Sequence, residues 1–190
     1  MNCMAPLSRN TLVYLEVYQA ILDTMIDQMT SIEQSQSISG HFILQMIPHH
    51  RAAIDMSENL LQYTVNIPLQ NIALDIIDEQ IESIKNMEVV FPRCMQITNS
   101  CQDLDSYHKQ TDLIMRAMFD DMRSAAVTNS IDANFIREMI PHHEGAIQMS
   151  NLALCYPICS DLVPILDAII VSQKRGVRQM QRLLKTVARR

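Results

Sequence analysis

Displaced by 93 residues, the 190-residue chain aligns with itself without a gap. Met-Ile-Pro-His-His at 46–50 falls on the same five residues at 139–143. Phe42-Ile43 falls on Phe135-Ile136, and Ala53, Ile54, Met56 and Ser57 fall on Ala146, Ile147, Met149 and Ser150. Between Tyr14 and Met87, 27 of 74 positions are identical to their displaced partners. The chain reads as a tandem duplication, one unit over 1–97 and the other over 98–190. The expected architecture is two fused units related by a pseudo-two-fold axis.

Each unit reads as three helices. Leu12, Leu15, Ile21, Leu22, Met25, Ile26 and Met29 recur at helical spacing over 11–33. The polar run 35–40 breaks the pattern, a second helix covers 40–63, and a third covers 67–90 with Pro68 suited to its first turn. The second unit repeats this over 104–127, 132–154 and 160–188, with Asp132 and Ser160 as candidate N-caps. Only 3 Gly and 7 Pro leave little turn material for an all-β fold. Pro48 and Pro141 fall inside helical patterns. Each removes one backbone hydrogen bond and crowds the carbonyl four residues earlier, so a bend or a fresh start is expected there.

The two copies act as a filter on function. Ten of the 14 Met fall in matched pairs (25/118, 29/122, 46/139, 56/149 and 87/180), and so do His49, His50, His142 and His143. None of the five Cys has a Cys at the matched position, and an odd count without a regular framework argues against a disulfide scaffold. Cys155 and Cys159 read as free thiols. His41 and His108 are unmatched and read as surface residues, and Asp75, Asp78 and Glu79 as a solvated face. A net charge of −6 offers no footprint for nucleic acid, and the basic run from Lys174 through Arg175, Arg178, Arg182 and Lys185 to Arg189 and Arg190 suits a solvated helix face. No apolar run is long enough to span a membrane. The N-terminus shows no leader pattern, so a cytoplasmic location is the default, with an extracytoplasmic one left open. Self-association into a homo-oligomer is also left open.

On a helix, Met46, His49, Ala53 and Met56 share one stripe, with His50 on its flank. Met25 and Met29 from the first helix, and Gln80 and Met87 from the third, can face it. The second unit offers Met139, His142, His143 and Met149, with Met118, Met122 and Met180. Thioether sulfur is a soft neutral donor that selects Cu(I), and Ag(I) by extension, while imidazole suits copper and zinc. Hard ions need clustered carboxylates, and the units share none. No Glu-x-x-His occurs; Glu138 lies four before His142, but the first unit has Gln45 there, which disfavours a di-iron site. Nothing in the sequence calls for an organic cofactor.

Other readings stay open. Met is a flexible apolar filler, and a Met stripe is also ordinary core. Buried imidazoles also serve structural hydrogen bonding, one ring in the core and its neighbour bonded to a carbonyl or to the opposite unit. A helical interaction module with a Met-lined groove, or an enzyme using His49 or His142 as a base, would use the same residues. No phosphate loop, nucleophile elbow or triad is present, and a metal-binding protein that is not an enzyme is the leading expectation.

The string Phe-x-x-x-Met-Ile-Pro-His-His-x-x-Ala-Ile-x-Met, present as Phe42–Met56 and Phe135–Met149 and followed by Gln80 and Met87, resembles the domain-of-unknown-function 305 family. The resemblance covers most of both units and implies an all-α, ferritin-like helical bundle. Some members of that family are associated with copper binding and copper tolerance outside the cytoplasm. Carried over by position, it implies Met46, His49, His50 and Met56, then Met139, His142, His143 and Met149, as ligands, with Met25, Met29, Met87, Met118, Met122 and Met180 as further candidates. The chain departs from the family pattern at the acidic residue usual before the Phe, which is His41 in one unit and Asn134 in the other, and in lacking the usual secretion signal.

Overall fold

The computed structural model describes residues 6–187, so Cys3, Arg189, Arg190 and position 188 lie outside the described residues. The described residues form six helices and no strand: α1 Arg9–Thr30, α2 Ile38–Leu61, α3 Ile67–Cys94, α4 Cys101–Arg123, α5 Ile131–Ala153 and α6 Val163–Val187. Each set of three packs around its middle helix, α2 against α1 and α3, and α5 against α4 and α6. The sets meet where α2 packs on α5 and α3 on α6. None of the helices is long and apolar enough to cross a membrane.

Local chemistry sets the helix starts. Ser37 and Ser130, matched in the repeat, cap α2 and α5 by accepting from the backbone N–H of Gly40 (3.1 Å) and Ala133 (3.2 Å). Ser130 therefore caps α5, and Asp132 sits in its first turn, where its charge suits the helix dipole. Asn66 caps α3, with Pro68 in the first turn. α6 begins at Val163, after a turn through 160–162, because a start at Ser160 would set the Pro164 ring against the Ser160 carbonyl. α1 and α4 end earlier than their apolar periodicity suggests, at Thr30 and Arg123, and α3 runs on to Cys94.

Neither proline starts a new helix. α2 continues through Pro48 and α5 through Pro141, each forgoing one hydrogen bond. What compensates is burial. Phe42, Ile43, Met46, Ala53 and Met56, with Phe135, Ile136, Met139, Ala146 and Met149, form the middle of the core. All ten matched methionines are buried. The segment between the units is tied down by Asn99, whose Oδ1 accepts from Ile38 N at 3.0 Å and whose Nδ2 donates to the Pro157 carbonyl at 2.6 Å.

Candidate functional site

The histidine pairs meet where α2 packs on α5. His49 Nε2 lies 3.2 Å from the backbone carbonyl of His142, and His142 Nε2 lies 3.1 Å from that of His49. The two rings stack with centroids 3.6 Å apart and planes 29° apart. A carbonyl only accepts, so each Nε2 carries the proton and each neutral ring keeps an unprotonated Nδ1. These bonds cross between the units, and they tie the α2 and α5 backbones together beside the prolines.

The second histidine of each motif is placed differently. His50 Nε2 bonds Ser83 Oγ of α3 at 3.0 Å. The matched residue on α6 is Gly176, and a Cβ there would fall 2.9 Å from His143 Cδ2 and 3.0 Å from its Nε2. The His143 ring takes the room that a side chain at 176 would fill. Within each pair the ring centroids are 5.9 and 6.0 Å apart.

All four rings are buried, and in all four Nδ1 has no hydrogen-bond partner. Burial first, and then the neighbouring imidazoles, hold His49 well below the ordinary histidine range. Burial and then His142 push His50 down to about 3. Burial pushes His142 down to about 4, against the opposing effect of its bond to His49, and burial holds His143 low as well. The rings are therefore neutral at physiological pH and need shed no proton to bind a metal. Further unpartnered buried atoms recur in matched pairs, Gln80 and Gln173 Oε1, and Ser57 and Ser150 Oγ. An unbonded buried polar atom costs about 1–3 kcal/mol, and here the same cost is retained in both units.

The donor set fits a soft ion. A metal-bound histidine ordinarily gives its other N–H to a carbonyl or similar acceptor, which fixes the tautomer and ring direction. His49 and His142 already make that bond. Met46, Met56, Met139 and Met149 lie in the same core, as do Met25, Met29, Met87, Met122 and Met180. Met118 does too, but its sulfur packs directly on the α5 backbone at Gly145, closer than a Cβ there would permit. Among the described residues no three His, Cys, Asp or Glu side chains converge as a metal-holding group.

Several neighbours of the site had little sequence signature. Between α3 and α6 a cavity of about 520 Å³ reaches His50, Gln80 and Gln173, with Asp78, Glu79 and Glu82 among its lining. Asp78 and Glu79 were expected only as a solvated face. Glu79 pairs with Arg175 of the basic run on α6. Ser83 has a glycine as its repeat partner, so matching by identity passes over it.

His41 and His108 correct an expectation. His41 is buried, only 6% exposed, and His108 is half-buried, with their ring centroids 4.6 Å apart. α4 lies over the start of α2 there, a contact that the periodicity of either helix alone does not reveal. Among the thiols, Cys155 is exposed while Cys159 is buried against Cys94. At the position matched to Gln45, Glu138 accepts a hydrogen bond from the Tyr14 hydroxyl at 2.7 Å, and burial pushes its carboxyl up to about 7.

The chain is similar to solved structures that share this helical arrangement. Two are CopM, in a silver-bound form obtained by soaking (28% identity, TM-score 0.59, 80% of this chain and 97% of that one) and in a Cu(II)-bound form (27%, 0.59, 78% and 96%). A third is a DUF305 fragment from Deinococcus radiodurans (23%, 0.58, 81% and 99%), which speaks to the fold alone. No curated protein matches the chain. The model of the family described as domain of unknown function (DUF305) matches residues 39–184, through both His-His motifs, and the chain belongs to that family.

Proposed function

We propose that this protein binds Cu(I), and Ag(I) in its place, through the paired Met-Ile-Pro-His-His motifs, and that it holds or buffers the ion and performs no catalysis. The observation that carries the reading is the set of four buried, unpartnered Nδ1 atoms on neutral rings, two of them with the opposite nitrogen bonded to a carbonyl. His49, His50, His142 and His143 would supply nitrogen, and Met46, Met56, Met139 and Met149 sulfur. Among the described residues no three imidazole, thiol or carboxylate groups converge, so thioether sulfur is the donor available to complete coordination, and sulfur favours the monovalent ion. The likeness to CopM in silver- and Cu(II)-bound forms supports copper or silver as the ion. The acids lining the cavity beside His50 suit entry of a cation from that side.

The test is competition for Cu(I) between the purified chain and a chromogenic chelator of micromolar affinity. The chain should withdraw one to two ions. His49→Ala with His142→Ala should weaken binding at least tenfold. Met46→Leu with Met139→Leu, which keeps volume and apolarity, should also weaken binding while leaving the helical content intact. A chain that leaves all the copper with the chelator overturns the reading.

A further inference from the structure

A second set of donors lies where the start of α2, in the first unit, meets α4 of the second, and the equivalent contact between α5 and α1 has no copy of it. His41 on α2 and His108 on α4 lie against each other, ring centroids 4.6 Å apart, and line a cavity of about 350 Å³ together with Gln45, Met29 and Met115. Three atoms here are buried without partners: His41 Nδ1, His108 Nε2 and Gln45 Oε1. Gln45 Nε2 donates to the Met115 sulfur at 3.5 Å, which sets that thioether beside the amide. Asp112 and Arg116 also line the cavity, one of each sign, so neither sign of charge prevails there.

The equivalent contact, between α5 and α1, shows what a structural role at these positions looks like. Asn134, the match of His41, closes the loop before α5: its Oδ1 accepts from Thr128 N at 2.9 Å and its Nδ2 donates to the Thr128 carbonyl at 2.8 Å. Glu138, the match of Gln45, is bonded to Tyr14. His108 and Met115 are matched by Leu15 and Leu22, which are plain core packing. His41 makes none of the bonds that Asn134 makes. The fold tolerates a bonded, partly apolar set at the α1–α5 contact, yet the α2–α4 contact holds two imidazoles, a thioether and a free amide oxygen.

From this we infer a second soft-metal site, made by His41, His108 and Met115 at the α2–α4 contact and independent of the four motif histidines. Two imidazoles with a thioether are a donor set for Cu(I). Burial, then His108, pushes His41 down to about 4, so that ring too is neutral at physiological pH.

Ag(I) is the probe, because it is diamagnetic and not oxidised in air. The chain is labelled at its methionine methyl groups and titrated by NMR, with bound silver counted by mass spectrometry. His41→Asn with His108→Leu installs the residues that the equivalent α1–α5 contact already accommodates. The wild type should bind one more Ag(I) than this variant, and the Met115 methyl resonance should move in the wild type and stay still in the variant. The His49→Ala, His142→Ala chain should keep the Met115 response. Equal stoichiometry in wild type and His41/His108 variant, or a Met115 resonance unmoved at saturation, overturns the second site alone. A wild type that takes up no silver overturns both sites.

Discussion

Four imidazoles held neutral in the core make a specific demand on the pH dependence of stability. In the unfolded chain each titrates near its ordinary value of about 6.5, while the folded forms stay neutral to well below that. Below about pH 6.5 the unfolded state binds more protons, so stability falls as pH falls. Between about pH 7.5 and 5.5 each ring contributes a loss of about 1.4 kcal/mol, or about 5–6 kcal/mol for four. Glu138 acts the other way. Its folded carboxyl sits near 7 against 4.5 unfolded, so its burial costs most at high pH, and acidification over the same interval recovers about 2 kcal/mol. His41, also held down to about 4 in the fold, adds about 1.4 kcal/mol of loss, so the net loss is about 5 kcal/mol, which with a urea slope of about 2–3 kcal/mol/M moves the midpoint by about 2 M. The assay is reversible urea unfolding of the metal-free chain, followed by circular dichroism at both pH values. Glu138→Gln, the residue the first unit carries, should raise stability at pH near 7.5 and steepen the acid loss toward the full histidine sum. A metal-free chain equally stable at both pH values would refute the claim that these rings are buried and uncharged, and a Glu138→Gln variant with no steeper loss would refute the raised carboxyl of Glu138.

Three further outcomes follow from the same geometry. Gly176→Ala ought to gain about 1 kcal/mol of helix propensity but should instead lower stability by about 1–3 kcal/mol, because the new methyl meets the buried His143 ring; Gly40→Ala, which meets only the end of the half-exposed Met95, should be nearly neutral in the same urea titration. Binding of Ag(I) near pH 6 should release almost no proton from the protein, checked by calorimetry in buffers of different ionisation enthalpy, since the rings are already neutral. Ser83→Ala, which removes the bond that aims His50, should weaken Cu(I) by roughly tenfold with little change in unfolding midpoint; an equal loss of both would make Ser83 purely structural.

Much of this arrangement is legible in the sequence because the chain contains its own comparison. Matched apolar positions located the second helix of each unit to within two residues, and the matched Met and His gave the contents of the core between them. What stayed hidden has physical causes. The partners of His49 and His142 are backbone carbonyls, which have no residue type to read. The caps fell on Ser130 rather than Asp132 because the N-terminal boundary is decided by one side-chain-to-backbone bond, and both residues are good cap formers. The start of α6 was set by Pro164, four residues beyond the candidate cap. His41 and His108 were set aside because they are unmatched, and that filter removes any feature which only one of two equivalent contacts possesses.

That filter fails where it does for a geometric reason. A residue near the axis of a duplicated fold packs against its own copy, so a change there is felt on both sides at once. His49 and His142 stack on each other and exchange the same bond. Replacing either ring strips a partner from the other, which holds the pair alike. Away from the axis, each environment exists twice and no contact links the two. Tyr14 and Glu138 close one of them with a hydrogen bond, while Tyr107 and Gln45 leave the other with unpartnered atoms beside His41 and His108. Identity between the units therefore marks residues that pack on their own counterparts, and difference between them marks where one of two equivalent contacts was free to acquire chemistry of its own.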